Sequence, residues 1–278
     1  MSRKLWKLLA GLIVVVVIAV VVLYLTIDSI AKAGIQAGGR YALGVDTRVD
    51  SVALSLLAGK LTVSDIVIDN PKGYTAPYLL NANSFEVDVK TRTLFSHAVE
   101  VPLVEIDGLN LNIERKEGKN NVSEIADHIK SLGSGAKKQG GRALKIDRIL
   151  LTNLTAVVTG VPGGPRTVKV PRLELKDVTG DSANGILVSE LMARLFPVIM
   201  AGVLDKGKGL IPGDLANQMT TDVGAATKSL GEGASKLVGQ AGEVGGSFQK
   251  MGQSAKDAAT GIGKSFGDLF GKKKEEPK

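Results

Sequence analysis

Few residues in this chain are of a type that could do chemistry. Its 278 residues hold no cysteine and two histidines, His97 and His128, so a thiolate nucleophile, a disulfide framework and a cysteine metal site are excluded. Neither histidine has a second ligand at metal-binding spacing, and each reads as an ordinary surface residue. Catalysis would need a nucleophile with its base, paired carboxylates in a defined setting, a metal cluster or a phosphate cradle. Gly38-Gly39-Arg40 lacks the GxxxxGK(S/T) pattern, the turn from Gly160 to Gly164 is not followed by a phosphate-binding helix start, and Asp65 and Asp69 fall on solvated strand edges. The expectation is a protein that is not an enzyme, with no catalytic residue, no metal and no cofactor. Asn121-Val122-Ser123 and Asn153-Leu154-Thr155 fit the glycosylation acceptor pattern, which bears only on a chain entering a eukaryotic secretory pathway.

The net charge of +7 does not point to nucleic acid. Arg3, Lys4 and Lys7 carry +3, the tail from Lys272 to Lys278 carries +2, and only +2 is left for everything between, with no basic stripe interleaved with aromatics. The dominant feature is instead the run from Leu8 to Ile27, which contains no charge and no proline. About 20 residues at ~1.5 Å of rise span the ~30 Å hydrocarbon core of a bilayer, so the run reads as a transmembrane helix. It is longer than the ~7 to 15 apolar residues of a cleaved signal peptide and lacks a small-x-small exit. The basic residues before it keep residues 1–7 in the cytoplasm and send the bulk of the chain across an inner membrane into the periplasm.

The elements beyond this anchor follow from the spacing of apolar residues. Residues 28–45 read as a helical stalk ended by Gly38, Gly39 and Gly44. Val52, Leu54 and Leu56, a turn at Ala58-Gly59-Lys60, then Leu61, Val63, Ile66 and Ile68 predict a hairpin. Phe85, Val87 and Val89 alternate with charged residues in a half-wet strand, and Val99 to Ile106 and then Leu109, Leu111 and Ile113 follow in the same manner. Val122, Ile125, Ala126 and Ile129 take helical spacing, with Ser123 as a cap. Residues 133–142, GSGAKKQGGR, form a polar seam before strands resume at Leu144 to Leu151, Leu154 to Val161 and Val168 to Val178.

An imperfect repeat underlies these strands. LTVSDIVI at Leu61, VEIDGLNL at Val104, LKIDRILL at Leu144 and LELKDV at Leu173 share apolar first, third and sixth positions with Asp at or beside a break. The apolar parity shifts by one there, as a β-bulge or a tight kink requires. Residues 46–181 are therefore expected to form one β-repeat domain.

Beyond it, residues 182–213 carry an apolar helix built on Leu191, Leu195, Val198, Ile199 and Val203, which Pro197 should kink or divide. Residues 214–278 show a heptad-like seam through Leu230, Leu237, Val244 and Met251. Nearly half of the 34 glycines lie beyond Gly202, and each costs ~1 kcal/mol against Ala inside a helix. The segment is thus either a weakly amphipathic helix held by a bilayer or a protein partner, or a disordered tail. The overall expectation is α+β: an N-terminal transmembrane helix, a curved and mainly antiparallel β-sheet of imperfect repeats, and a Gly-rich amphipathic C-terminal helical segment.

LSLLAGKLTVSDIVIDNPKGY and SFEVDVKTRTLFSHAVEVPLVEIDGLNLNIERKEGKNNVSEI, behind a single anchor and a small stalk, resemble the N-terminal portion of bacterial AsmA-like proteins, a family that includes the TamB type. The resemblance covers roughly 46–129, with a weaker echo to Val178, and its fixed points are the loop residues Asn70, Pro71, Gly73 and Tyr74 together with Gly108. It implies an inner-membrane protein extending into the periplasm, similar to chorein-type lipid-transfer proteins, which moves phospholipid along a β-sheet groove toward the outer membrane. About 8 to 10 strands spaced ~4.8 Å apart reach only ~40 to 50 Å, so what the resemblance implies here is a lipid-facing layer rather than a spanning groove.

Two readings of that layer stay open. In one, the inward strand face is a lipid groove lined by Phe85, Val87, Val89, Leu109, Leu111 and Ile113, with phospholipid and the bilayer as partners in envelope lipid handling or outer-membrane assembly. In the other, the protein is a scaffold whose apolar helix from Glu190 to Leu204 closes the sheet and whose C-terminal helix meets an envelope protein partner. The discriminator is whether that helix covers the sheet.

Overall fold

The computed structural model describes residue 15 and residues 26–55, 57–94, 96–133, 143–179 and 185–246. The predicted anchor therefore lies outside the described residues except at Val15, Thr26 and Ile27, all helical, and the seam over 134–142 and the tail beyond 246 also lie outside them. Among the described residues no helix is long and apolar enough to cross a membrane.

Helix α1 covers residues 26–43. Strands β1 (Thr47–Ser55), β2 (Lys60–Ile68), β3 (Leu80–Asp88) and β4 (Ala98–Lys116) then run up and down in antiparallel pairs. A short β5 (Lys119–Asn120) turns back on the end of β4 and leads into α2 (Asn121–Gly133). Strand β6 (Ala143–Thr159) returns parallel to β4, and β7 (Arg166–Lys176) pairs antiparallel with it. Helices α3 (Val188–Lys206), α4 (Gly213–Ser229) and α5 (Glu232–Gly239) follow, and a helical turn over 243–246 ends the described residues.

The result is an α+β fold on a seven-stranded sheet of order β1-β2-β3-β4-β6-β7, with β5 off the path. It is mixed rather than wholly antiparallel, because α2 carries the chain back to the starting end of β4, so the next strand must run the same way. One face is apolar and covered; the other presents Glu86, Glu105, Asp107, Arg148 and Arg172 to water, the division expected of a sheet packed on one side.

One kinked level crosses all six strands of the main path, and a second, at Pro102, Asp147 and Asp177, involves only the β4, β6 and β7 side. The pairings place Asp50, Asp65, Asn83, Gly108, Asn153 and Pro171 opposite one another on six successive strands, and Asp65, Gly108 and Asn153 have φ of 45°, 68° and 56°. Register is the same on both sides of the level, as in Val49 with Ile66 and Ser51 with Ser64. No strand gains a residue, so the device is a kink shared by all strands, not a bulge. Buried positions accordingly change phase in step, from Val104 and Ile106 to Leu109 and Leu111 on β4, and from Ile149 and Leu151 to Leu154 and Ala156 on β6. Gly108 and Asn153 do not end their strands: what the sequence divides in two is one strand in each case.

Asn120, not Ser123, caps α2: its side-chain oxygen accepts the Ser123 N–H at 2.8 Å, while its Nδ2 donates to the Ser123 hydroxyl. The predicted apolar stripe of α2, Val122, Ile125, Ala126 and Ile129, is buried. Pro197 lies inside α3, which runs on through it as one helix. In place of one long heptad helix, the chain breaks at Gly231 and Gly242, with φ of 87° and 111°. Helices α4 and α5 turn Leu215, Met219, Val223, Leu237 and Val238 into the core of the same chain, so over residues 213–241 the glycine-rich segment packs on its own domain.

Both edges of the sheet are held by side chains. Asp28 of α1 accepts the Leu54 N–H at 2.9 Å and Lys32 donates to the Asp50 carbonyl at 2.6 Å. At the other edge, the Gln240 amide takes the Lys176 N–H at 2.8 Å and donates to the Lys176 carbonyl at 2.9 Å.

Candidate functional site

An apolar cavity of about 530 Å³ lies between α1, the start of α3 and the covered face of the sheet. Strands β1 to β3 supply Leu54, Leu61, Val63, Phe85 and Val87. The first half of β4 and of β6 supplies Val99, Val101, Val104, Ile106, Ile146 and Ile149. Leu187, Leu191, Met192 and Leu195 form the α3 wall, and Ile27, Ile30, Ala31 and Ile35 the α1 wall. Ser189 is the one polar residue among those lining it. The size falls within the ~300 to 1,000 Å³ of small-molecule sites. An apolar space of this volume, sealed and empty, would cost on the order of 10 kcal/mol in lost packing, and its walls offer ordered water almost no partners.

The side chains of α1 explain why the cavity exists. At one end, Gly39 lets the helix backbone touch β1: a Cβ there would lie 2.4 Å from the Thr47 hydroxyl oxygen. Five residues earlier, a Cβ on Gly34 would meet nothing within 4 Å. Ile30, a turn further back, lines the cavity and is 61% exposed. The helix thus touches the sheet through Gly39 and stays beside the β1 edge as far as Asp28, and the small residues Ala31, Gly34 and Ala37 on its cavity side leave the space in front of them unfilled.

The predicted groove residues part company. Phe85, Val87 and Val89 are half-buried and line the cavity. Leu109, Leu111 and Ile113, across the kinked level, are at most 1% exposed in a closed core with Val122, Ile125 and Ile129 of α2. They are not an open stripe, because helices cover that half of the sheet. Helix α3 does cover part of it, a Cβ on Gly202 reaching to within 3.7 Å of Leu173 of β7, yet its first turns stop short and wall the cavity instead. The α3 wall comes from the helix that the spacing of Leu191 and Leu195 predicts, whereas the α1 wall escapes periodicity confined to strands; its signal is the Ala31, Gly34, Gly38 spacing on a segment that reads as a bare stalk.

The loop residues Asn70, Pro71, Gly73 and Tyr74 lie at the opposite end of β2 and act as a latch. Buried Asn121 donates to the Asn70 side chain at 2.8 Å and to the Asn112 carbonyl at 2.7 Å, and accepts the Glu114 N–H. Its burial also withdraws it as a glycosylation acceptor. Glu114, 6% exposed, takes the Thr75 and Ala76 N–H groups and the Thr75 hydroxyl. Burial by itself raises the Glu114 carboxyl, but these hydrogen bonds and the nearby Lys116 charge outweigh it and hold the carboxyl below its usual range. Tyr74 donates to Glu124 at 3.0 Å, and burial followed by that bond pushes its phenol up. Gly108, the last fixed point, needs both its positive φ and its missing side chain, since a Cβ would lie 2.5 Å from Asn83 Nδ2.

The polar candidates do not converge. His97 is exposed; His128 Nε2 lies 2.9 Å from the Tyr41 carbonyl. Asp69 pairs with Arg48 at 2.5 Å, and Asp65 holds its kink. Among the described residues no group of three His, Cys, Asp or Glu side chains could hold a metal ion.

A family model described as the AsmA family matches residues 2–155, more than half of the chain. No curated protein matches the chain.

Proposed function

The chain belongs to the AsmA family, and from that premise we propose that it is a non-catalytic, membrane-anchored protein of the bacterial envelope whose cavity holds a phospholipid acyl chain. The observation that carries this reading is the cavity itself, whose lining is apolar but for Ser189 and which lies beside α1, the element that continues the apolar run from Leu8 to Ile27. Each methylene moved from water into such a space contributes ~0.8 kcal/mol, so a partly inserted chain of a dozen methylenes gains roughly 10 kcal/mol before the cost of ordering it. In this reading the anchor lies in the inner membrane with residues 1–7 cytoplasmic, and the sheet works in the periplasm in lipid handling or outer-membrane assembly.

The test is native mass spectrometry of the full chain released from nanodiscs, with Gly34→Phe as the variant. Position 34 lines the cavity and has open space in front of it, so the ring occupies part of the space an acyl chain would need without disturbing the fold. The expected result is bound phospholipid on the wild type, reduced several-fold in the variant at an unchanged melting temperature. A wild-type chain that carries no lipid overturns the proposal. The scaffold reading keeps one specific support, the closed core around Leu109, Leu111 and Ile113, and would take over in that event.

A further inference from the structure

We propose that the β1–β2 turn and the beginning of α1 form one bilayer-contacting end of the domain, which holds the mouth of the cavity against the membrane surface. The proposal rests on the reading of the chain as membrane-anchored. Helix α1 lies alongside β1 in the opposite direction: Gly39 faces Thr47 at the start of the strand, Lys32 reaches the Asp50 carbonyl, and Asp28 takes the Leu54 N–H near its end. The apolar run that precedes α1 therefore reaches the domain next to the turn between β1 and β2. At that turn Leu57 is fully exposed, at 103%, in a protein whose described residues include few exposed large apolar side chains. Ile30, 61% exposed, stands at the same end on α1. An isolated exposed leucine needs no explanation; one at a hairpin tip beside the end of a bilayer-length apolar run has a partner within reach.

The same end holds the cavity. Leu54 and Leu61, the last apolar pair before the turn, both line it, as do Ile27 and Ile30. Part of the cavity lining, the hairpin tip and the start of α1 thus share one end, while the latch at Asn70 to Ala76 occupies the other, about 30 Å away over a nine-residue strand. With the tip in the headgroup layer, an acyl chain could pass from the membrane to the cavity without crossing water.

Because the chain has no cysteine, single labels can be placed cleanly. The full chain, in phosphatidylethanolamine and phosphatidylglycerol nanodiscs, would carry an environment-sensitive fluorophore through Leu57→Cys or, as the reference at the far end, Lys72→Cys. The label at position 57 should be quenched several-fold more than that at 72 by spin-labelled lipid, and several-fold less by aqueous iodide. Equal water exposure at the two positions, or failure of the chain to enter the discs, overturns the proposal. Cavity occupancy read separately by mass spectrometry keeps the two ideas apart. A membrane-embedded tip on a lipid-free chain leaves this proposal standing and removes the lipid reading, and a lipid-loaded chain with a wet tip does the reverse.

Discussion

Gly39 and Thr47 approach so closely that a Cβ on Gly39 would stand 2.4 Å from the Thr47 hydroxyl oxygen, and this contact seats the end of α1 directly on the start of β1. Gly39→Ala should therefore destabilise the protein by about 1 to 3 kcal/mol, as overpacking does. Gly34→Ala, in the same helix but facing open space, should be neutral or stabilising by up to about 1 kcal/mol. Chemical denaturation of the full chain in detergent measures both, and equal effects at the two positions would show that α1 does not pack as described.

Substitution of a carboxylate should separate the two halves of the apolar face. Leu111→Glu buries an unpaired charge in a closed core and should unfold the domain, at a cost of several kcal/mol. Val87→Glu places it at a half-buried position on the cavity wall, where it stays partly hydrated, and should leave a cooperative melt while removing bound lipid. A folded Leu111→Glu variant would mean that the groove extends across the kink.

Glu114 gives the latch a defined pH response. Its folded carboxyl lies below the ordinary value of 4.5, so its contribution is complete above that value and disappears as pH falls through the folded pKa. Wild-type stability should therefore fall on acidification below about pH 5 in part through this group. Glu114→Gln should remove that component and lower stability at neutral pH by about 2 to 3 kcal/mol, because an amide cannot accept all three hydrogen bonds. Urea midpoints measured from pH 7 to pH 3 for the two proteins give the comparison, and parallel pH curves would exclude a role for Glu114.

Topology is open to a direct check. A reporter active only outside the cytoplasm, fused after Lys278, should work, whereas activity of a cytoplasmic reporter at that position would reverse the orientation.

The parity shift in the repeats makes the kinked level legible in the sequence, since Asp65 and the run around Asp107 cannot keep one apolar face without a break. What alternation does not carry is that the break is shared at constant register, because that depends on six strands at once. It also divides β4 at Gly108, where a residue that bends a strand looks like one that ends it. The stretch from Phe85 to Ile113 reads as a single groove because exposure depends on what lies opposite, and α2 covers one half only. The C-terminal glycines argue against stable helix on propensity, and burial of Leu215, Met219 and Leu237 overrides it.

Gln240 at one edge and the Asp28 and Lys32 side chains at the other occupy backbone groups that a neighbouring strand would need. Open edges are where sheets polymerise or recruit partners by strand addition. Any protein that extended this sheet past β1 would first have to peel away α1, and with it one wall of the cavity. Strand addition at that edge would therefore dismantle the cavity, because the two make opposite demands on the same helix.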